Sequence, residues 1–473
     1  MHIASDMEKY QTKKLFTVIK DLKQKVNLSI NLNAYKNIIS YFYLFLLINY
    51  VLFGRSFSGI YIFNYRLGEI IIGYFVIYTF YLLIKYFVSL NEFREFKKQI
   101  IVFGILVLIF FINLSITNGS IFSEYTFKSS SYIWSISSLF FSYFLFKDLL
   151  KSKLIKYFFS VLLPVNYILI AIYTPEFIIN FFLSNSDKWD FLKASDLLLI
   201  YVLSNSSNYL FFEKKINSIT YFFFSSSIFF PLFLFMSKGA FYSAIIYFFV
   251  FLLIYFKVIK KDKFKFLVIL FISILLFFLS TFEIWGNFNF QKDADEINKN
   301  DLSFLSLETL KLGVKDLATQ KNTTEIFASL YISNNRVYST DLMFDWRLQI
   351  WQDVFIDLNK ENKILFGYGY NDIIPAMDDV NRKGSDGTNE NVHNYFVNIL
   401  ARGGVLHLFS ITCFVLCMFI DIKNFELRKI FLFTILPIYI VSFFDSSMES
   451  VRFPLIFYTG VTIIFKLNLV KIK

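Results

Sequence analysis

The sequence has few charged residues and very little cysteine, glycine, proline or histidine for its length. Only 18% of its 473 residues are Asp, Glu, Lys or Arg, whereas about a quarter of a soluble protein is charged. Its 2 Cys exclude a disulfide scaffold, and 16 Gly with 6 Pro exclude a collagen-like or low-complexity chain. Its 3 His give no plausible ligand set for a metal, so we expect neither a metal nor a cofactor.

Apolar residues are abundant instead. Hydrophobic residues make up 56% of the chain, with 65 Phe and 30 Tyr, which is too much apolar surface for a protein that faces water on all sides. Runs long enough to cross about 30 Å of hydrocarbon recur along the chain. We place them at residues 38–54, 69–88, 99–117, 130–147, 154–173, 194–212, 218–236, 239–256, 264–284, 396–420, 429–444 and 453–467. The sequence therefore predicts an all-α polytopic membrane protein with about twelve transmembrane helices.

The net charge of +11 lies mainly in alternate loops, so it reports topology and not an affinity for nucleic acid. The N-terminal tail, residues 1–37, is rich in Lys and lacks the apolar segment of a signal peptide. The even-numbered loops hold many Lys and Arg, and the short odd-numbered loops hold few: Arg55, Arg66, Lys128, Lys188, Lys193, Lys238 and Arg452. The positive-inside rule then places the even loops, the tail and the C-terminal residues 468–473 in the cytoplasm.

One long segment separates the first nine spans, within residues 38–284, from the last three, within residues 393–467. Residues 285–392 hold 17 Asp or Glu against 11 Lys or Arg, and the alternation of loops places them outside the cytoplasm. The segment also contains Trp346, Trp351 and several Phe, so its composition is not that of a disordered chain. We expect a large, partly helical loop that folds as a small cap on the outer face.

The strongest helix signal in this cap runs from Asp341 to Leu358. Asp341 or Asp345 can serve as the N-cap, and an apolar stripe follows at helical spacing, formed by Ile350, Trp351, Val354, Phe355 and Leu358. Arg347 extends this stripe, where an unpaired guanidinium would be costly. Either it snorkels to lipid headgroups or pairs with an acid such as Asp345, or its five-donor fork holds a phosphate.

Two glycine motifs follow. Phe366-Gly367-Tyr368-Gly369-Tyr370-Asn371 predicts a turn whose glycines let the backbone approach another part of the chain closely. A helix from Asn394 to Ile420 would be about 40 Å long, which exceeds the hydrocarbon core, and we expect a kink or break in it at Gly403-Gly404.

Two residues beside these spans are candidates for chemistry. His393 stands at the start of the long helix, where the positive helix end favours a neutral imidazole that can accept a proton; helix capping or an interface hydrogen bond would equally explain it. Lys238 stands at the short junction of spans seven and eight, where it either anchors the headgroup region or binds an anion. His407, deeper in its span, is typical of a satisfied intramembrane polar residue.

Several short motifs occur in a characteristic order. Ser237-Lys238-Gly239-Ala240 stands at a span junction, and the sequence then gives Trp346-Arg347-Leu348-Gln349-Ile350-Trp351, Leu365-Phe366-Gly367-Tyr368-Gly369, His393-Asn394 and Gly404. In this order the motifs resemble those of the O-antigen ligase and O-antigen polymerase family, over residues 195–465. The spacing from His393-Asn394 to Gly404 is the most specific part of the resemblance.

The resemblance implies a glycosyltransferase of the bacterial inner membrane, with both termini cytoplasmic and the large loop in the periplasm. Its partners would be an undecaprenyl-diphosphate-linked oligosaccharide, membrane lipid and a chain-length regulator protein. Arg347 with Lys238 or Arg402 would hold the diphosphate, and His393 would take the proton of the acceptor hydroxyl, with inversion at the anomeric carbon. Trp351 and Tyr368 either stack on sugar rings or pack in the core.

Three functions are open at this point. A polymerase joins lipid-linked repeat units, whereas a ligase transfers the finished chain to a lipid A core, or a related enzyme transfers a glycan to protein. A flippase or exporter would move lipid-linked sugars across the membrane. We favour the polymerase, because His407 stands where ligases usually carry Gly, Thr or Tyr, and because the sequence shows no inverted repeat of broken helices.

Overall fold

The structure is a computed structural model that describes residues 32–88, 96–146, 153–187, 192–212, 214–286, 324–327, 330–379, 382 and 390–472. Most of the predicted N-terminal tail and the first part of the predicted cap, residues 287–323, lie outside the described residues. The chain divides into two compact units, Met1–Leu46 and Leu47–Lys473. Within the described part, the first unit holds the beginning of the first helix, and every feature discussed below belongs to the second.

The described residues form sixteen α-helices and two small sheets. The helices are α1 Leu32–Ser58, α2 Leu67–Val88, α3 Lys97–Ile116, α4 Glu124–Ser129, α5 Ser131–Ser135, α6 Ser137–Leu145, α7 Lys153–Tyr167, α8 Glu176–Asn185, α9 Ala194–Phe211, α10 Lys215–Met236, α11 Lys238–Lys261, α12 Lys263–Trp285, α13 Leu342–Lys360, α14 Tyr395–Asp421, α15 Phe425–Ser442 and α16 Arg452–Ile472. The strands are β1 Tyr61–Ile62, β2 Tyr65–Arg66, β3 Thr324–Phe327, β4 Leu330–Ser333 and β5 Arg336–Ser339.

Seven of these helices are long and apolar enough to cross a membrane: α1, α2, α3, α10, α11, α12 and α14. An eighth span results if α7, with its π-helical end Ile168–Ile172, and α8 count as one, although they meet at 89°. The chain is thus a multi-pass membrane protein. All twelve predicted segments are at least partly helical, but the number of twelve spans is not confirmed.

The predicted fourth span shows why the count differs. Residues 124–145 form three short helices in succession, α4 to α6. Serine hydroxyls donate to carbonyls three residues earlier, from Ser135 to Tyr132 at 3.0 Å, from Ser137 to Trp134 at 2.7 Å and from Ser138 to Ser135 at 2.6 Å. Such local bonds compete with the helical ladder, so an apolar run rich in Ser breaks into short pieces.

Helix α9 lies at the centre of the bundle. Its residues from Ala194 to Asn208 are all buried, and it packs against α7, α10 and α15. Its polar groups bond to neighbouring helices, since Ser206 lies 2.8 Å from the Thr434 hydroxyl and Tyr201 lies 2.6 Å from the Ser226 hydroxyl. A helix surrounded by protein can carry Ser and Asn that a lipid-facing helix could not.

The described part of the cap contains a sheet as well as the predicted helix. Strands β3, β4 and β5 form an antiparallel sheet in which Tyr331 pairs with Tyr338, and this sheet was not predicted. Helix α13 begins where expected, because the Asp341 carboxylate accepts the Phe344 N–H at 3.2 Å as its N-cap.

The apolar stripe of α13 packs into the core of the cap with one exception. Ile350, Val354 and Leu358 are buried against Ile374, Met377 and Val392. Phe355, which was predicted to belong to the stripe, is 54% exposed. The prediction that Phe355 belongs to the buried stripe is wrong. Helical spacing places Phe355 beside the stripe, but the face of α13 that packs into the core is too narrow to include it.

The break in α14 is confirmed at Gly404, whose φ of 68° is not helical. There the Val405 N–H donates to the Ile364 carbonyl at 2.9 Å, while the Tyr368 N–H donates to the Ala401 carbonyl at 2.7 Å. A Cβ at Gly404 would lie 2.2 Å from the Leu365 oxygen. The motif Phe366–Asn371 was predicted to approach another part of the chain closely, and that part is α14. Glycine is required at Gly404, where the backbone of α14 meets the backbone beside this motif.

Candidate functional site

A polar cavity of about 210 Å³ lies beside the start of α14. Its walls come from segments far apart in sequence: Arg55, Tyr125, Lys128, Ser129, Lys193, Glu390, Asn391, His393, Asn398, Arg402, Asp445, Ser446, Ser447, Glu449, Ser450 and Arg452. Five of these side chains are basic and three are carboxyls. A cavity with this surplus of cations favours an anionic ligand.

Four of the seven cations that the sequence places in the short odd-numbered loops line this one cavity, namely Arg55, Lys128, Lys193 and Arg452. Residues of two even-numbered loops also meet each other, since the Lys98 Nζ lies 2.7 Å from the Asp421 carboxylate. The rare cations of the odd loops are therefore not scattered along the surface. They gather where His393 and Arg402 also lie.

His393 precedes α14 and faces the cavity. Its φ of 52° lies in the left-handed region, which is uncommon for residues other than glycine. The next residue, Asn394, caps the helix by accepting the N–H groups of Phe396 at 3.0 Å and Val397 at 3.1 Å. In the described part of the chain, neither ring nitrogen of His393 has a hydrogen-bond partner, and the Trp346 ring lies 5.3 Å away, centroid to centroid.

The imidazole of His393 is held in its neutral form. Burial lowers its pKa to about 4, and the positive charges of Arg347 and Lys193 act in the same direction, with Asp445 opposing them. A neutral imidazole was expected from the helix end alone. The structure adds a larger cause, burial, and a second one, two neighbouring cations.

Arg402 lines the cavity from within α14 and is 3% exposed. Its Nη1 donates to the Asp372 carbonyl, and its Nη2 donates to the Tyr125 hydroxyl at 2.6 Å. The guanidinium also stacks over the Tyr125 ring, 5.0 Å from its centroid. The buried Nε has no partner in the described part of the chain, so a charged group with one unused donor stands at the wall.

Arg347 and Lys238 lie behind the cavity and do not line it. The Arg347 Nη1 donates to the Phe444 carbonyl at 2.8 Å, and burial lowers its pKa, against the influence of Asp445 and Asp341. Among the described residues Arg347 forms no ion pair with Asp345, which was one of the alternatives, and the Asp345 carboxylate accepts the Ser339 N–H at 2.8 Å. The Lys238 Nζ lies 3.5 Å from the Asp341 carboxylate.

The two aromatic residues considered for sugar contact do not line the cavity. The Trp351 indole donates to the Val392 carbonyl at 2.7 Å and packs against the core of the cap. The Tyr368 ring lies under the Lys363 ammonium, 4.7 Å from the ring centroid. The aromatic side chains at the site are instead Tyr125, which lines the cavity, and Trp346, whose ring lies 5.3 Å from that of His393.

His407 is buried and bonded on both ring nitrogens. Its Nδ1 contacts the Tyr370 hydroxyl, and its Nε2 lies 3.1 Å from the Leu106 carbonyl. The Tyr370 hydroxyl in turn lies 2.7 Å from that of Tyr132. His407 is thus the satisfied intramembrane residue that was expected.

Lys193, Asp445, Glu449 and Arg452 line the cavity, although none of them was predicted as a site residue. The Lys193 Nζ lies 3.5 Å from the Asp445 carboxylate. Burial alone would raise the pKa of Asp445, but Lys193, the Ser195 hydroxyl and Arg452 together lower it. The rarity of cations in the odd loops was the signal that could have found Lys193 and Arg452.

The loop that contains Asp445 also contains Glu449, whose pKa is shifted in the opposite direction. Burial raises the pKa of Glu449 to about 8, and the opposing effect of Arg402 is smaller. Two carboxyls of one cavity therefore differ in charge at neutral pH, Asp445 being ionised and Glu449 protonated. Among the residues that the structure describes, no three His, Cys, Asp or Glu side chains lie together as metal ligands would.

A family model described as O-antigen ligase matches residues 222–411. The matched segment begins in α10 and ends within α14, and it contains Lys238, Arg347, His393 and Arg402. A comparison with curated proteins gave no match. Residues 222–411 therefore resemble the O-antigen ligase family, which supports the family that the motifs predict.

Proposed function

We propose that this protein is a surface-polysaccharide polymerase, which joins undecaprenyl-diphosphate-linked oligosaccharide units at the periplasmic face of the bacterial inner membrane. The observation that supports it is the cavity itself, in which five basic side chains surround one neutral imidazole at the end of a membrane helix bundle. A diphosphate attached to a long apolar lipid fits both the charge of this cavity and its place beside the membrane helices.

The diphosphate is the leaving group of the proposed reaction. It already carries negative charge, so the protein needs fixed cations around its oxygens more than it needs an acid. Arg402 and Lys193 would contact it from the cavity wall. Arg347 and Lys238, held by the Phe444 carbonyl and Asp341 respectively, would strengthen the positive potential from behind.

His393 would take the proton of the attacking acceptor hydroxyl. The oxygen of that hydroxyl forms the new bond to the anomeric carbon, and the electron pair of the broken carbon–oxygen bond leaves with the diphosphate. A base with a pKa of about 4 is weak, but bound diphosphate would neutralise the Arg347 and Lys193 charges that lower this pKa. The imidazole then becomes a stronger base only when the donor is present.

The description of the matching family as O-antigen ligase favours a second candidate, the transfer of the completed chain to a lipid A core or to protein. Both reactions use the same donor and the same bond cleavage. They differ in the acceptor hydroxyl, which belongs to another lipid-linked unit in the first reaction and to a lipid A core or a protein in the second.

A gene deletion distinguishes these functions by the surface glycan that remains. Loss of a polymerase leaves single repeat units on the acceptor, and loss of a ligase leaves a bare acceptor with polymer still on the carrier lipid. Loss of a flippase leaves neither outside the cytoplasmic membrane. We expect the first pattern.

The biochemical test uses purified protein in lipid vesicles with a lipid-diphosphate oligosaccharide as the only sugar source. We expect chain growth, visible as a ladder on a gel. Absence of growth at every pH tested, with a protein that remains folded, would refute the polymerase assignment.

A further inference from the structure

Glu449 lies in the cavity without a cationic partner. It ends the short 3₁₀ turn Ser447–Glu449, and in the described part of the chain it forms no ion pair. Its Oε1 is buried and has no hydrogen-bond partner among the described residues, while the nearby Ser446 hydroxyl and the charge of Arg402 lower its pKa less than burial raises it. A buried, unpaired carboxylate would be costly, whereas a protonated carboxyl loses much less on leaving water.

The backbone of Glu449 is fixed on both sides. Its carbonyl accepts the Ser131 hydroxyl at 2.6 Å, and its N–H donates to the Ser446 carbonyl at 3.1 Å. The backbone that carries the carboxyl is therefore held at the wall by α5 and by its own turn. A buried acid on a fixed backbone, without an ion-pair partner among the described residues, resembles a recognition group more than a surface residue that water would solvate.

The charge of this carboxyl matters for an anionic donor. The cavity contains five basic side chains and three carboxyls, and an ionised Glu449 would oppose the cations that hold the diphosphate. In the neutral form the same group removes that repulsion and offers an O–H donor, which an ionised carboxylate lacks.

We propose that protonated Glu449 binds the sugar donor: its O–H donates a hydrogen bond to an oxygen of the lipid diphosphate. This inference rests on the proposed function. No proton is transferred from it during the reaction. This role is distinct from that of His393, which must be unprotonated to act. The two groups together confine activity to a pH range in which His393 is neutral and Glu449 is protonated.

The burial of Glu449, which raises its pKa to about 8, sets the upper boundary of this range. The titratable and charged groups around Glu449 come from every side of the cavity: Arg402, His393, Tyr395, Asp445, Lys193, Arg452, Tyr125, Lys128, Tyr132, Glu390 and Arg55. The donor itself does not titrate here, because each phosphorus of a diphosphate diester carries one strongly acidic group that stays ionised.

The test is the dependence of kcat and KM on pH, between about pH 6 and pH 10, for the purified full chain in vesicles with lipid-diphosphate oligosaccharide. For the wild type we expect KM to rise about tenfold per pH unit above about pH 8, with little change in kcat. Glu449→Gln is neutral at every pH and keeps an N–H donor. Its KM, whatever the value at neutral pH, should lose the alkaline rise.

Glu426→Gln is the matched control. Glu426 pairs with Lys429 in the first turn of α15 and does not line the cavity. This variant makes the same Glu-to-Gln change outside the cavity and should keep the alkaline rise in KM.

Two outcomes overturn the proposal. In the first, the wild-type KM is constant across the alkaline range. In the second, Glu449→Gln loses activity at neutral pH through kcat, which would make the carboxyl a proton acceptor. If Glu449→Gln fails to fold, the wild-type profile alone decides. If the wild type shows no chain growth at any pH, the proposed function itself is refuted. A constant KM in an enzyme that does extend chains refutes only the role of Glu449.

Discussion

Lys193 and Asp445 form a 3.5 Å ion pair across the cavity. Lys193 is the residue before α9, and Asp445 lies in the loop after α15, so the pair joins the outer ends of two helices that pack together in the bundle. The same Lys193 lowers the pKa of His393. One side chain therefore supports the loop that carries Glu449 and also adjusts the proposed base.

Substitution of Lys193 tests this double role. In Lys193→Ala we expect KM for the donor to rise about tenfold, equivalent to roughly 1.4 kcal/mol. Because Lys193 lowers the pKa of His393, its removal raises that pKa above about 4, and the acid limb of kcat/KM should move to higher pH. Lys260→Ala, at the exposed end of α11, is the control and should leave both quantities unchanged.

His393 can be replaced without straining the backbone. Asn tolerates the left-handed conformation that His393 adopts, with φ of 52°, so His393→Asn removes the base and retains the local fold. We expect kcat to fall by a factor of about 100 to 10,000, with donor binding preserved. Full activity in this variant would exclude the histidine as the base. For the wild type, kcat/KM should fall as the pH drops through about 4, because the imidazole of the free enzyme must be neutral to accept a proton.

Gly404 is predicted to be intolerant of any side chain. A Cβ there would lie 2.2 Å from the Leu365 oxygen at a φ of 68°, so Gly404→Ala should destabilise the protein by roughly 1–3 kcal/mol. Gly104→Ala in α3 is a fair comparison, because its nearest neighbour is Leu83 at 3.5 Å, an ordinary contact. Thermal unfolding in detergent should separate the two variants, and equal midpoints would contradict the assignment of Gly404 as a required glycine.

Substitutions of Trp351 can distinguish two roles for this residue, stacking on a sugar ring and positioning of His393. Its indole N–H holds the Val392 carbonyl at 2.7 Å, directly before His393. Trp351→Phe keeps an aromatic ring and removes this bond, which is worth about 1 kcal/mol. If the bond positions His393, kcat should fall severalfold while KM stays constant. A Phe variant with wild-type kcat, combined with a raised KM in Trp351→Ala, would support stacking on a sugar instead.

The side of the membrane can be tested with single cysteines in a variant that lacks Cys413 and Cys417. Asn335 lies in the turn between β4 and β5 of the cap, and Lys260 lies at the exposed end of α11. We expect an impermeant thiol reagent to reach Asn335→Cys in intact spheroplasts and to reach Lys260→Cys only after lysis. The reverse pattern would invert the proposed orientation.

Local features of this chain were predictable, and the cavity was not. The N-cap at Asp341 and the break at Gly404 depend on nearby residues, so short-range patterns predict them. The partners of Arg402 are Asp372 and Tyr125, which lie on other parts of the chain, and periodicity contains no information about such contacts. Hydropathy also does not predict the serine hydrogen bonds within residues 124–145, because apolar content alone does not distinguish one long helix from three short ones.

The non-helical backbone at Gly404 has a mechanical consequence. The ten residues from Tyr395 to Gly404 are fastened to the glycine motif by backbone bonds such as that between Tyr368 and Ala401, while the rest of α14 packs against α3 within the bilayer. Thicker or thinner lipid would tilt the rest of α14, and we expect the chain to bend at Gly404 in response. The imidazole of His393 would then keep its position in the cavity when the thickness of the membrane changes.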